Sequence, residues 1–217
     1  LATAQDTRFP PVSHYPHIID GLGYHAAGMS DCMGALEFAR QQFTPKLDAQ
    51  AFEKAAVNTA IGAEGVIFYP YLSGARAPFW QADLRAEMHG LTRAHTANHM
   101  ARAAYEGVGH VLTAIWHDMK GKLGQRATTL HVLGGGGQSD FFCQMLADML
   151  NVEIKRGAET DCAFATALFA AATHQGIDVR QMALQAYQSQ AIFTPDKNAN
   201  EVYAYFFKSF MARHRAA

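Results

Sequence analysis

The chain has 217 residues, 49% hydrophobic and 17% charged, with 18 Lys and Arg against 19 Asp and Glu for a formal charge of −1. That length is ample for a buried core in one large domain or two small ones, and 14 Phe and 8 Tyr exclude a disordered chain. Balanced charge removes the clustered Lys and Arg on which nucleic-acid affinity rests. The longest apolar runs, 66–69 and 163–172, fall far short of the ~20 residues that cross a bilayer, so neither nucleic acid nor membrane is expected as a partner.

In chain order, Pro10-Pro11 opens an extended stretch, and 14–25 has the pattern of a hairpin turning at Asp20-Gly21. A helix is expected over 31–43, with Asp31 as N-cap and Leu36, Ala39 and Phe43 on one face. Pro45 stops it, and Asp48 starts a shorter helix through Ala56. The β-prone run 66–72 is a candidate buried strand, with Pro70 arguing for an edge or bulge. Residues 73–92 have loop character, and irregular connections of that length are usually functional. The clearest helix spans 96–119: Thr96 can cap it, Met100, Ala104, Val108, Val111, Ile115 and Met119 recur at three-to-four spacing, and Gly121 and Gly124 end it.

A strand over 128–133 runs into Gly134-Gly135-Gly136-Gly137, after which Ser139 or Asp140 caps a helix through Leu150. Residues 151–154 form a second short strand, followed by helices over 163–174, 179–190 and 200–213. Strand, glycine loop, helix, strand, helix is an α/β pattern with parallel pairing. Cys32, Cys143 and Cys162 form no C-x-x-C, so neither a disulfide framework nor a zinc knuckle is expected and a reducing cytoplasm is the default setting. The chain opens Leu1-Ala2-Thr3 with no Met and no basic-then-apolar leader, so an upstream segment is expected.

Four glycines between a strand and a helix let a ligand approach the backbone, and the helix start offers unpaired N–H groups. A phosphate-binding P-loop would need Gly-Lys-Ser/Thr here, and a dinucleotide fingerprint a third Gly where Ser139 stands. The charge of Asp140 would also repel a polyphosphate, which leaves adenine or ribose as the better-suited moiety. Residue pattern alone is equally satisfied by a ligand cradle and by a tight strand-to-helix turn. His95 and His99 have zinc-protease spacing without the activating Glu, so surface or capping roles are expected. Glu106 and His110 have the spacing of a helical ion pair. In the loop Gly74-x-Arg76-x-Pro78, the Arg could serve an anion or brace the loop, and spacing leaves both open.

Three segments together resemble the FGGY carbohydrate kinase family. Ala86-x-Met88-x-Gly90-Leu91, seven residues, then His99-Met100-x-x-Ala103-Ala104-Tyr105-Glu106 is similar to its second signature. Gly134-Gly135-Gly136 with Ser139, Gln144 and Ala147-Asp148 resembles its adenosine loop and the helix behind it, and 71–78 resembles the segment leading to its G-x-R-x-P loop. The tail, Phe193-x-Pro195 with Tyr203, also fits. Ala35-Leu36-Glu37-Phe38 and His95-Thr96 resemble pentulose kinases of the xylulokinase and L-xylulose kinase-like branch. One departure stands out: Phe164-Ala165-Thr166 occupies the place of the family's Gly-Ala-Ala, where a Phe would crowd a close-packed position.

The resemblance implies an actin-like ATPase (ribonuclease H-like) fold, of which residues 1–217 would be the C-terminal lobe, a mixed sheet flanked by helices. It further implies ATP and Mg²⁺ as cofactors and a small sugar as acceptor. Gly134, Gly135, Gly136, Gln138 and Ser139 would lie at the nucleotide, and Gly74, Arg76 and Pro78 would form an interlobe loop. The catalytic base would lie on an N-terminal lobe outside these residues, so no catalytic residue, no metal ligand and no turnover are expected of the chain alone. The alternative is a non-catalytic module whose apolar lobe face pairs with another chain or with a second copy as a homodimer.

Overall fold

The structure, a computed structural model, describes residues 2–3, 12–17, 19, 21–124, 127–158 and 162–214. It divides into two compact units, Leu1–Arg126 with Asp196–Ala217, and Ala127–Pro195.

The first unit begins with β1 (Ala2–Thr3), β2 (Ser13–Pro16) and β3 (Gly23–Ala26), an antiparallel sheet in the order β1-β3-β2. The expected hairpin is present, with His14 opposite His25; Asp20 and Pro10-Pro11 lie outside the described residues. Helix α1 (Met33–Phe43) starts two residues later than expected. Asp31 does not cap it: its carboxylate accepts the Ser73 amide at 3.2 Å, so a contact 42 residues away outcompetes the local cap. Helix α2 (Ala49–Val57) is capped as expected, with Asp48 accepting the Ala51 amide.

Strand β4 (Ile67–Tyr69) is shorter than the run 66–72 because Pro70 has no amide to donate. It pairs antiparallel with β5 (Glu87–His89), which lies inside the segment expected to be loop. Helix α3 (Ala97–Leu123) runs four residues past Met119 and through Gly121, ending where Gly124 takes a left-handed conformation.

The second unit contains β6 (Thr129–Val132), α4 (Asp140–Leu150), β7 (Glu153–Gly157), α5 (Cys162–Gln175), α6 (Val179–Ala186) and β8 (Ser189–Phe193). Strands β6 and β7 are parallel and β8 joins antiparallel to β7, giving a mixed sheet. Two expectations change. Asn151 is not a strand residue but ends α4 in the left-handed region, where Asn is tolerated. The helix expected over 179–190 ends at Ala186, and Ser189 onward forms β8. Its polar residues carry little pattern, and pairing with the free edge of β7 decides the outcome.

Helix α7 (Lys197–His214) returns to the first unit, its start capped by Asp196 through the Ala199 amide. Tyr69, Tyr71, Val111, Ile115, Met119 and Phe210 share that unit's core, with the Phe210 ring stacked on Tyr69 at 4.9 Å. Gly107 sits where α3 crosses β4; a Cβ there would run into the carbonyl of Phe68, so only Gly permits this approach.

Candidate functional site

Strand β6 delivers the chain into the glycine run. Gly134 has φ 80° and ψ −170°, a region L side chains avoid, and a Cβ built on Gly134 or Gly135 meets nothing within 4 Å. The backbone of both is therefore open to an incoming group. Gly137 is the packed member: its amide donates to the Gly134 carbonyl at 3.0 Å and its Cα faces the Val132 side chain. Ser139 is the N-cap of α4, its Oγ accepting the Phe142 amide at 2.9 Å. Gln138 is exposed, and its side-chain amide has no partner among the described residues. Gln144 donates to Asp148 at 2.8 Å and to the Thr194 carbonyl at 2.9 Å, so these two motif residues fasten α4 to the end of β8.

The repulsion expected from Asp140 is offset. Arg156 Nη1 lies 2.8 Å from Asp140 Oδ1 and 2.9 Å from the Gly137 carbonyl oxygen. Arg156 belongs to no motif and lies 16 residues away in sequence. The parallel register that sets it beside Val132 brings it under the glycine run. No sequence spacing could have found it, because the register is decided by folding.

In the first unit, Gly74, Arg76 and Pro78 shape a closed loop. Ala75 and Gln81 exchange both backbone hydrogen bonds, at 2.8 and 2.9 Å, and a Cβ on Gly74 would lie 2.7 Å from the Ala82 carbonyl oxygen. The Arg76 carbonyl accepts from the Phe79 and Trp80 amides, and its guanidinium lies 5.8 Å from the Trp80 ring centre. Among the described residues that guanidinium makes no hydrogen bond or ion pair. Arg76 thus braces the loop and leaves an exposed cationic edge.

The remaining signature residues hold the unit together. Arg102 Nε donates to Glu106 at 2.6 Å, both side chains being almost fully buried. Glu106 also accepts the Gly62 amide at 2.9 Å, while Arg102 reaches the Ala56 carbonyl and the Tyr203 hydroxyl. The expected Glu106–His110 pair is absent. Glu106 turns to Arg102 instead, and His110 packs against the rings of Phe207 and Phe210, 3% exposed. Burial there pushes the imidazole down to about 3, so it stays neutral.

His95 and His99 are capping residues. Each Nδ1 accepts a backbone amide, from Thr92 at 2.8 Å and Thr96 at 3.0 Å, so each ring carries its proton on Nε2. His95 Nε2 lies 3.4 Å from the Glu64 carbonyl oxygen and His99 Nε2 lies 3.5 Å from the Glu64 carboxylate, contacts that suit N–H donors. No group of three His, Cys, Asp or Glu able to hold a metal occurs among the described residues. No helix among them is long and apolar enough to cross a membrane. Phe164, expected to crowd a packed position, is 36% exposed on the first turn of α5.

Residues 5–174 match the model of the FGGY family of carbohydrate kinases, C-terminal domain. Among curated proteins, the chain is 28% identical over 195 residues to a xylulose kinase of Staphylococcus epidermidis, covering 88% of this chain and 39% of that one. It is 36% identical over 101 residues to a gluconokinase of Bacillus subtilis, covering 46% and 20%. A crystal structure of ligand-bound xylulose kinase from Lactobacillus acidophilus superposes with a TM-score of 0.88 at 27% identity, covering 99% of this chain and 44% of that one. The chain thus spans less than half the length of these relatives. Its mixed sheet and helices are those of the actin-like ATPase fold that FGGY kinases share. The chain belongs to the FGGY family of carbohydrate kinases and carries its C-terminal domain.

Proposed function

We propose that residues 1–217 are the nucleotide-binding lobe of an ATP-dependent kinase that phosphorylates a sugar hydroxyl, with a pentulose such as xylulose as acceptor. The observation that carries this reading is the open backbone at Gly134 and Gly135, set at the capped start of α4. Such a start offers unpaired N–H groups. Gln138, whose side-chain amide is free, and Ser139, whose hydroxyl proton is not used by the cap, are the side chains that would hydrogen-bond the adenosine. The pentulose acceptor is supported by the similarity of 35–38 to pentulose kinases. No residue here is assigned to Mg²⁺, which in this reading arrives as the Mg–ATP substrate. Phosphoryl transfer rests on positioning and charge stabilisation, and the base that takes the sugar proton belongs to the N-terminal lobe.

Calorimetry tests this reading. The 217-residue chain is expected to bind ADP in the micromolar range, and Gly135→Val to weaken it at least about ten-fold by obstructing the backbone. The added side chain enters open space, so the variant should keep its fold. The chain alone is expected not to phosphorylate D- or L-xylulose; steady turnover would contradict the placement of the base. A folded chain that binds neither ADP nor ATP would favour a non-catalytic interaction module. That second reading has its own support in Leu133, Leu184 and Ile192, which the second unit leaves 66%, 79% and 54% exposed.

A further inference from the structure

We infer that Arg156 is the positioning residue that makes the glycine run tolerant of a phosphate-bearing ligand, an inference that rests on the nucleotide reading above. The run has two electronegative groups at its helix end, the Gly137 carbonyl oxygen and the Asp140 carboxylate. One guanidinium nitrogen contacts both, at 2.9 and 2.8 Å. The side chain is 11% exposed and Asp140 is 77% exposed, so the cation is fixed from beneath while the anion it balances faces solvent. Fixation comes from the β6–β7 register, which sets Arg156 beside Val132, and from the Phe193 ring, 5.6 Å from the guanidinium carbon.

Two consequences follow. The Gly137 carbonyl, which also receives the Cys143 thiol at 3.5 Å, is held in one orientation, and this fixes the turn. The carboxylate charge is cancelled where an anionic ligand would meet it. Stability alone does not account for the residue: its Nε–H is buried without a partner among the described residues, a cost that an apolar side chain would not carry. A Lys could supply the charge but not a planar, delocalised cation over the Phe193 ring.

The test compares a neutral with an anionic nucleoside on the 217-residue chain, by calorimetry with adenosine and ADP. Arg156→Gln is expected to weaken ADP about five- to ten-fold and adenosine at most about two-fold, the gap closing in about 0.5 M salt because the freed Asp140 charge is then screened. Adding Asp140→Asn to that variant should recover most of the ADP loss. Asp140→Asn alone, at an exposed position that should leave folding intact, is expected to tighten ADP about two- to three-fold with adenosine unchanged. Equal losses of both ligands in Arg156→Gln, or an ADP affinity indifferent to Asp140→Asn, would overturn the inference while leaving the nucleotide reading in place. A wild-type chain that binds neither adenosine nor ADP would overturn both.

Discussion

Arg102→Met should destabilise the first unit by about 3–5 kcal/mol, the cost of leaving a buried carboxylate without its cation. Glu106 and Arg102 are 3% and 5% exposed, and the pair ties α3 to three other places: the Gly62 amide, the Ala56 carbonyl and the Tyr203 hydroxyl. Burial outweighs the pull of Arg102 and the Gly62 amide and holds the Glu106 carboxyl above its ordinary range. With Arg102 gone the chief influence opposing that upward push is lost. The folded carboxyl, already above its unfolded value, moves higher still, so the variant loses more stability than the wild type as pH rises. The deficit of Arg102→Met should therefore be larger at pH 8 than at pH 5, and it should shrink when Glu106→Gln is added. Urea unfolding followed through Trp116, buried on α3, measures both effects. A deficit below about 1 kcal/mol would place the pair among exposed ion pairs of little worth.

His110 should make the same unit acid-labile. Its folded pKa, depressed to about 3 by burial, lies well below the unfolded value near 6.5. The unfolded chain therefore takes up a proton that the folded one refuses. Stability is intact above about 6.5, is reduced by about 2 kcal/mol at pH 5, and continues to fall until about pH 3. His110→Leu replaces the ring by an apolar group of similar bulk between Phe207 and Phe210, and should reduce the difference in unfolding free energy between pH 7.5 and pH 5 by about 2 kcal/mol. Carboxylates elsewhere titrate in both proteins and cancel in the comparison. An unchanged pH slope would show that His110 does not titrate on unfolding.

The long elements were legible from sequence because their signals are local. The apolar spacing of α3, its Thr96 start, the Asp48 cap and the glycine run between strand and helix all appear in the structure. What escaped depends on partners distant in sequence. Asp31 prefers the Ser73 amide to its own helix, β8 exists because β7 offers a free edge, and Arg156 reaches the glycine run through strand register. The Glu106–His110 expectation failed because helical spacing permits a partner on either side, and a buried Arg102 outcompetes a ring that burial holds neutral. The family was legible because its motifs combine a glycine loop, a helix and a closed turn whose residue types each have a geometric reason.

Amide chemical shifts during an ADP titration of the isotope-labelled 217-residue chain would locate the nucleotide on it residue by residue. Saturable shifts are expected, concentrated at Gly134, Gly135, Gly136, Gln138 and Ser139, with the Gly137 amide following through its turn. Shifts centred elsewhere, or a folded chain whose glycine-run amides stay unmoved at millimolar ADP, would contradict nucleotide binding at that run.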